Sequence, residues 1–192
     1  MNPLIEAAVD LQRLLDSWNW RFCVIGGIAV LRWGESRLTR DVDLALLTGF
    51  GNEDDYILPL LGAGYKGRIP DVVEFARRNR VLLLTGPTGI FIDVSLAALP
   101  FEAQAIERAT PFEFAPGYSL RTCSAEDLIV FKLFAFRSLD LADAESVAAR
   151  NGKTLDWTYV LKNLAPLAEA KNDPAIMAKA VWLQNKYGEA DS

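Results

Sequence analysis

The run VIGGIAVLRWGESRLTRDVDLALL, Val24 to Leu47, restricts the folds open to this chain more than any other stretch. The short β-rich segment RFCVI leads into Gly26-Gly27, IAVLRW resumes with helical character, and DVDLALL alternates charged and apolar residues as a half-buried strand does. Strand, glycine pair, helix, strand is the opening of an α/β sheet. Glycines at a strand end have two physical readings. They let backbone N–H groups come close to an anion at a helix N-terminus, which makes a phosphate seat, or they serve a tight turn with positive φ. Alternate strand residues share a face, so Asp41 and Asp43 point one way while Val42, Leu44 and Leu46 point into a core. Two carboxylates on one face repel unless a cation lies between them. Mg2+, hard and oxygen-seeking, is such a cation and is usually shared with substrate phosphates. The plainer reading is a solvated strand end.

Asp93 adds to this. It sits in the apolar strand GIFIDVSLA with no basic residue nearby in sequence. A lone charge there is costly to bury and needs a partner, which a metal shared with Asp41 and Asp43 would supply, unless the residue faces water at a strand edge.

Around these strands, residues 3–17 read as an amphipathic helix. EDDYILPLLGAG reads as a helix closing on glycine despite Pro59, VVEFAR and RVLLLTG suggest a hairpin around Arg78-Asn79, and PFEFAP and YSLRTC suggest short strands. From Ser124 the pattern turns helical: SAEDLIVFKLFAFRSLDLADAESVAAR, with Ser124 as N-cap and Asp127 three residues on, then helices over 155–169 and 174–187. The expectation is an α/β (α+β) domain over 1–122, with a mixed sheet flanked by helices, followed by a helical region over 123–192.

Composition narrows the chemistry. The chain has 192 residues, 51% of them apolar, enough to bury a real core. With no histidine and two cysteines, it offers neither a His-dependent triad nor a ready zinc site. Cys23 and Cys123 lie beside apolar runs and read as buried thiols suited to a reducing cytoplasm. No uninterrupted apolar run is long enough to span a membrane, and Glu6 and Asp10 make the N-terminal helix unlike a signal peptide. The net charge of −5 argues against a purely electrostatic nucleic-acid binder, although arginines cluster at Arg32, Arg37 and Arg40 and again at Arg68, Arg77, Arg78 and Arg80. The five tryptophans read as core rather than as base-stacking platforms.

Taken together, Gly26-Gly27, Arg37-x-Thr39-x-Asp41-x-Asp43 and Asp93 resemble the nucleotidyltransferase superfamily, and GGIAVLRWGESRLTRDVDL looks most like its AbiEii-type, toxin-like branch. The resemblance spans residues from about 20 to 150. It implies an enzyme of the EC 2.7.7 type that transfers NMP from an NTP and releases pyrophosphate. Asp41, Asp43 and Asp93 would bind two Mg2+ ions, with Mn2+ as a substitute. Gly26 and Gly27 would seat the β- and γ-phosphates, and Arg37 and Thr39 would contact phosphate or order the loop. The branch also carries a helical Lys, a following Arg and two spaced aspartates, here Lys132, Arg137, Asp140 and Asp143. Lys132, the one charge in LIVFKLFAF, would neutralise the triphosphate. Arg137 would join the nucleotide-binding residues, or pair with an aspartate and fix the helices. Asp140 has the alternative role of N-cap of the next helix.

The toxin-like branch implies tRNA or another RNA end as acceptor and a cognate antitoxin as partner. Two alternatives stay open: a nucleotidyltransferase acting on a small hydroxyl compound or a protein side chain, and a nucleotide- or partner-binding module without catalysis.

Overall fold

The computed structural model of the protein describes residues 2–188. The chain groups into two compact units, one made of the residues up to Ile28 with Leu38–Cys123, the other of Ala29–Arg37 with the residues from Ser124 onward. The helical unit therefore includes a segment, 29–37, that lies before the Asp-x-Asp strand in sequence.

The first unit is built on α1 (Pro3–Ser17), β1 (Phe22–Val24), the start of α2 (Gly26–Trp33), β2 (Asp41–Leu47), α3 (Asp54–Gly62), β3 (Lys66–Gly67), α4 (Val72–Asn79), β4 (Val81–Thr85), β5 (Phe91–Ala97), α5 (Pro100–Glu107), β6 (Thr110–Ala115) and β7 (Tyr118–Thr122). The strands form one seven-stranded sheet in the order β3-β4-β5-β2-β1-β7-β6. It is mixed: β2 runs parallel to β5 and β1 parallel to β7, while the β1–β2, β3–β4, β4–β5 and β6–β7 pairs are antiparallel. This is the expected α/β architecture.

Local chemistry accounts for most of these elements. α1 starts where the Asn2 side chain accepts a hydrogen bond from the Leu4 N–H at 3.0 Å and Pro3 takes the first helical position. Its buried stripe, Leu4, Ala8, Leu11 and Leu15, recurs at helical spacing. On β2, Val42, Leu44 and Leu46 are fully buried, and Ile92, Val94 and Leu96 match them on β5, so the core takes the apolar set of each strand. Cys23 and Cys123 are buried as well. Trp18 and Trp20 pack partly buried against this core.

One local expectation fails in this unit, and one helix was not anticipated. The proposed hairpin around Arg78-Asn79 is instead the end of helix α4, whose Val72 and Ala76 face inward and whose Glu74 pairs with Arg78 one turn on at 2.8 Å. The chain leaves α4 through Arg80 at φ 56, and the Arg80 guanidinium is fixed by Glu53 at 2.5 Å and by the carbonyls of Gly49 and Leu96. Helix α5 had no strong sequence signal. It is short, and its start is marked only by Pro100 and by the Glu102 carboxylate accepting from the Leu99 N–H at 2.8 Å.

The second unit contains the rest of α2 with α6 (Ala125–Ala135), α7 (Ser138–Asn151), α8 (Trp157–Lys171) and α9 (Pro174–Tyr187). Ser124 caps α6 as expected, its Oγ accepting from the Asp127 N–H at 3.1 Å. The long helical stretch breaks at Phe136, which sits at φ 61, and turns into α7. Trp157 is buried, but Trp182 is exposed, with Lys179 and Lys186 over its ring, so the reading of every tryptophan as core does not hold there. Among the described residues no helix is long and apolar enough to cross a membrane.

Candidate active site

The parallel pairing of β2 and β5 brings the three sequence-marked aspartates together. Asp43 is the register partner of Asp93, and Asp41 that of Phe91. Because β2 and β5 are neighbours running the same way, Asp41, Asp43, Phe91 and Asp93 emerge on one face of the sheet. One carboxylate oxygen from each of Asp41, Asp43 and Asp93 lies within 4.8 Å of the others, and all three residues are half-buried. This is a half-buried, all-oxygen donor set, the kind that Mg2+ and Mn2+ accept. Oxygen ligands around one such ion stand about 3–4 Å apart, given metal–oxygen distances of ~2.1 Å, so small side-chain rotations would close the set on a divalent cation.

The glycine pair has a visible local reason. Gly26 adopts φ +60, and a Cβ there would lie 2.0 Å from Oδ2 of Asp43. A Cβ on Gly27 would lie 2.3 Å from Oγ1 of Thr39. Gly27 also donates its backbone N–H to Asp43 Oδ2 at 3.2 Å, and the Thr39 hydroxyl donates to Asp41 Oδ1 at 3.4 Å. The missing side chains thus let the Asp-x-Asp strand and its lead-in approach the backbone at the start of α2. Positive φ and close approach both apply at this turn.

Asp93 has a partner that sequence reasoning passed over. Arg68, just after β3, donates from Nη2 to Asp93 Oδ1 at 2.7 Å. The two side chains are 24% and 28% exposed. The guanidinium also lies 4.8 Å from the centre of the Phe91 ring. In the sequence Arg68 is one arginine of a basic cluster, 25 residues from Asp93, and β3 is too short to announce itself as a strand. The available signal was Asp93's own need for a counter-charge.

The remaining residues of interest form a second cluster, inside the helical unit. Arg37 grips Asp143 in a two-pronged pair, Nε to Oδ1 at 2.6 Å and Nη2 to Oδ2 at 2.7 Å. Lys132 Nζ lies 3.0 Å from Asp140 Oδ1 and 2.8 Å from Asp143 Oδ2. Arg137 Nε meets Asp140 Oδ2 at 2.5 Å, the pairing with an aspartate that the resemblance implied. Lys132, Asp140 and Asp143 are 7%, 2% and 3% exposed. Asp140 is not an N-cap: Arg137 holds that position and Asp140 falls inside the first turn of α7. Burial pushes the Asp140 and Asp143 carboxyls up, but the hydrogen bonds and charges of Arg137, Lys132 and Arg37 outweigh it, and both are held below the ordinary carboxylate range.

No protein-family model and no curated protein matches the sequence. Solved structures do. An antigenic nucleotidyltransferase-like protein from Paracoccidioides brasiliensis superposes with a TM-score of 0.51 at 19% identity, covering 92% of each chain. The fold is of the nucleotidyltransferase type. The lincomycin-bound lincosamide adenylyltransferase LnuA aligns at 16% identity and a TM-score of 0.48, over 71% of this chain and 91% of its own. The antibiotic-resistance factor ANT(2'')-Ia aligns at 15% identity and a TM-score of 0.48, over 95% of this chain and 90% of its own.

Proposed function

We propose that the protein is a metal-dependent nucleotidyltransferase that moves NMP from an NTP to an acceptor hydroxyl and releases pyrophosphate. The observation that carries this reading is the convergence of Asp41, Asp43 and Asp93 on adjacent strands of a nucleotidyltransferase-type sheet, with carboxylate oxygens within 4.8 Å of one another. Asp41, Asp43 and Asp93 would hold Mg2+, which when bound neutralises phosphate charge and lowers the pKa of an attacking hydroxyl. Asp43 is kept in place by the Gly27 N–H, and Asp41 is touched by the Thr39 hydroxyl. The phosphate-seat reading of Gly26-Gly27 rests on the pair's place at the start of α2 beside these carboxylates, where the Gly27 N–H is given to Asp43 and the space over the two glycines is filled by Asp43 and Thr39.

For the acceptor, the AbiEii-type pattern of Gly26-Gly27, Asp41, Asp43, Lys132, Arg137, Asp140 and Asp143 favours an RNA end and a toxin-like role. A specific observation favours a second reading, a small hydroxyl compound. Arg77 and Arg78 of the basic cluster at the end of α4 are engaged by Asp54 and Glu74 on an acidic protein. The test is incubation with each α-labelled NTP and Mg2+, together with either total RNA or a panel of hydroxyl compounds that includes aminoglycosides. Label entering RNA, in a reaction that slows steeply with salt, supports the first acceptor; salt-tolerant labelling of a small compound supports the second. Label entering neither, with any NTP, contradicts the proposed activity.

A further inference from the structure

Arg68 is held at the carboxylate site by more than one contact. Its backbone N–H donates to the Leu83 carbonyl at 3.0 Å, and Leu83 is the β4 register partner of Asp93, so the arginine is anchored in the same row of the sheet as the carboxylate it meets. Its guanidinium lies over Phe91, two residues before Asp93 on the same strand face, and closes on Asp93 Oδ1 at 2.7 Å. An exposed ion pair is seldom ordered in this way. This one is three-quarters buried, with its arginine flanked by an aromatic ring and a backbone anchor. Arg68 therefore occupies one of the two oxygens of the third carboxylate in the set.

We propose that Arg68 is a resident counter-cation of the site: it competes with the metal for Asp93, and Asp93 joins the metal's ligands only as the guanidinium leaves it. This rests on the reading that Asp41, Asp43 and Asp93 hold a divalent ion. The physical argument is electrostatic. A fixed positive charge at hydrogen-bond distance from a ligand oxygen both occupies a lone pair and repels an arriving cation, and in a half-buried site that repulsion is only partly screened. The competition has a protective side, since it keeps Asp93 compensated when no metal is bound. Loss of Arg68 should therefore tighten metal binding and weaken the metal-free fold. If Arg68 instead served to aim Asp93 at the metal, its loss would loosen metal binding.

The experiment is calorimetric titration of the nucleotide-free protein with Mn2+, for wild type, Arg68→Met, Arg68→Gln and Arg68→Lys, with Asp41→Asn as control. Met keeps a stem against Phe91, Gln keeps a hydrogen-bond donor without the charge, and Lys keeps the charge. We expect Arg68→Met and Arg68→Gln to bind Mn2+ at least about tenfold more tightly than wild type, on the scale by which one nearby charge shifts an ionic equilibrium. Arg68→Lys should stay near wild type. Thermal unfolding of the same variants should show a lower midpoint in chelator and a larger rise on adding Mn2+ than wild type, a readout that survives if a metal-free variant is too unstable to titrate. Unchanged or weaker Mn2+ binding in both charge-removing variants, while Asp41→Asn still abolishes binding, overturns the role of Arg68 alone. Binding that is absent from wild type, or indifferent to Asp41→Asn, overturns the underlying metal reading instead.

Discussion

At the scale of single residues, the glycine pair shows how a motif can serve packing and chemistry at once. Gly27 makes room for Thr39, and the space is so tight that even one methyl would collide with it at 2.3 Å. Gly27→Ala is accordingly expected to cost about 1–3 kcal/mol, the usual range for forcing extra volume into a packed site. Denaturant unfolding would measure it. The cost should shrink in a Thr39→Gly background, where the opposing side chain is gone, and an equal cost in both backgrounds would mean that Thr39 is not the obstacle. A Cβ-branched residue at 27 would also shift Thr39 away from Asp41, so a loss of nucleotide binding in Gly27→Val would not by itself identify a phosphate seat. Metal affinity has to be measured beside it. The aspartates and glycines were legible because strand periodicity and glycine punctuation are local signals. Arg68 was not, because its partner is brought to it only by the pairing of β3 with β4 and of β4 with β5.

At the scale of elements, the Arg37, Lys132, Arg137, Asp140 and Asp143 cluster ties together residues of three sequence segments within the helical unit. Lys132 is almost fully buried between two carboxylates, so it has a structural task whatever else it does. Lys132→Met fits the apolar run of α6 but leaves Asp140 and Asp143 short of a counter-charge. The expected loss of stability is roughly 3–5 kcal/mol, the range for breaking a buried pair by removing one partner. Comparing that loss with turnover under conditions where the variant is folded separates the two roles. Normal turnover in the folded variant would confine Lys132 to holding the helices, and reduced turnover would support a part in handling phosphate.

The same cluster sets an acid limit. Asp140 and Asp143 have carboxyls held below their ordinary value of 3.8, so their ionised pairs stabilise the fold above about that pH, and the contribution fades as pH falls through it toward their lowered values. Unfolding measured from neutral pH downward should show a steeper acid decline for wild type than for Asp143→Asn; equal slopes would contradict the assignment. Element types were read well from sequence where apolar periodicity was long, as in α1 and the helices after Ser124, and where β-rich runs were clean, as in β2 and β5. They were misread where eight residues had to decide. VVEFARRN carries β-branched residues that suggest a strand, yet its Val72–Ala76 inner face and its Glu74–Arg78 pair make it helix α4. The break at Phe136 falls at the end of the run LIVFKLFAF, with no glycine or proline to announce it.

At the scale of the whole molecule, an acidic chain with a nucleotidyltransferase-type sheet carries three carboxylates, Asp41, Asp43 and Asp93, on the face where β2 and β5 meet. Its net charge makes strong salt dependence an informative signature: an RNA acceptor requires local positive charge and counterion release, and a small acceptor needs neither. The central claim, transfer of a nucleotidyl group at Asp41, Asp43 and Asp93, is tested most directly by pyrophosphate release from NTP and Mg2+ in the presence of an acceptor that takes up label, comparing wild type with Asp43→Ala. The account predicts release by wild type that chelator abolishes, and a fall of at least about a thousandfold in Asp43→Ala, equivalent to ~4 kcal/mol of lost transition-state stabilisation, in a variant that still unfolds cooperatively. Wild-type turnover in folded Asp43→Ala would contradict it.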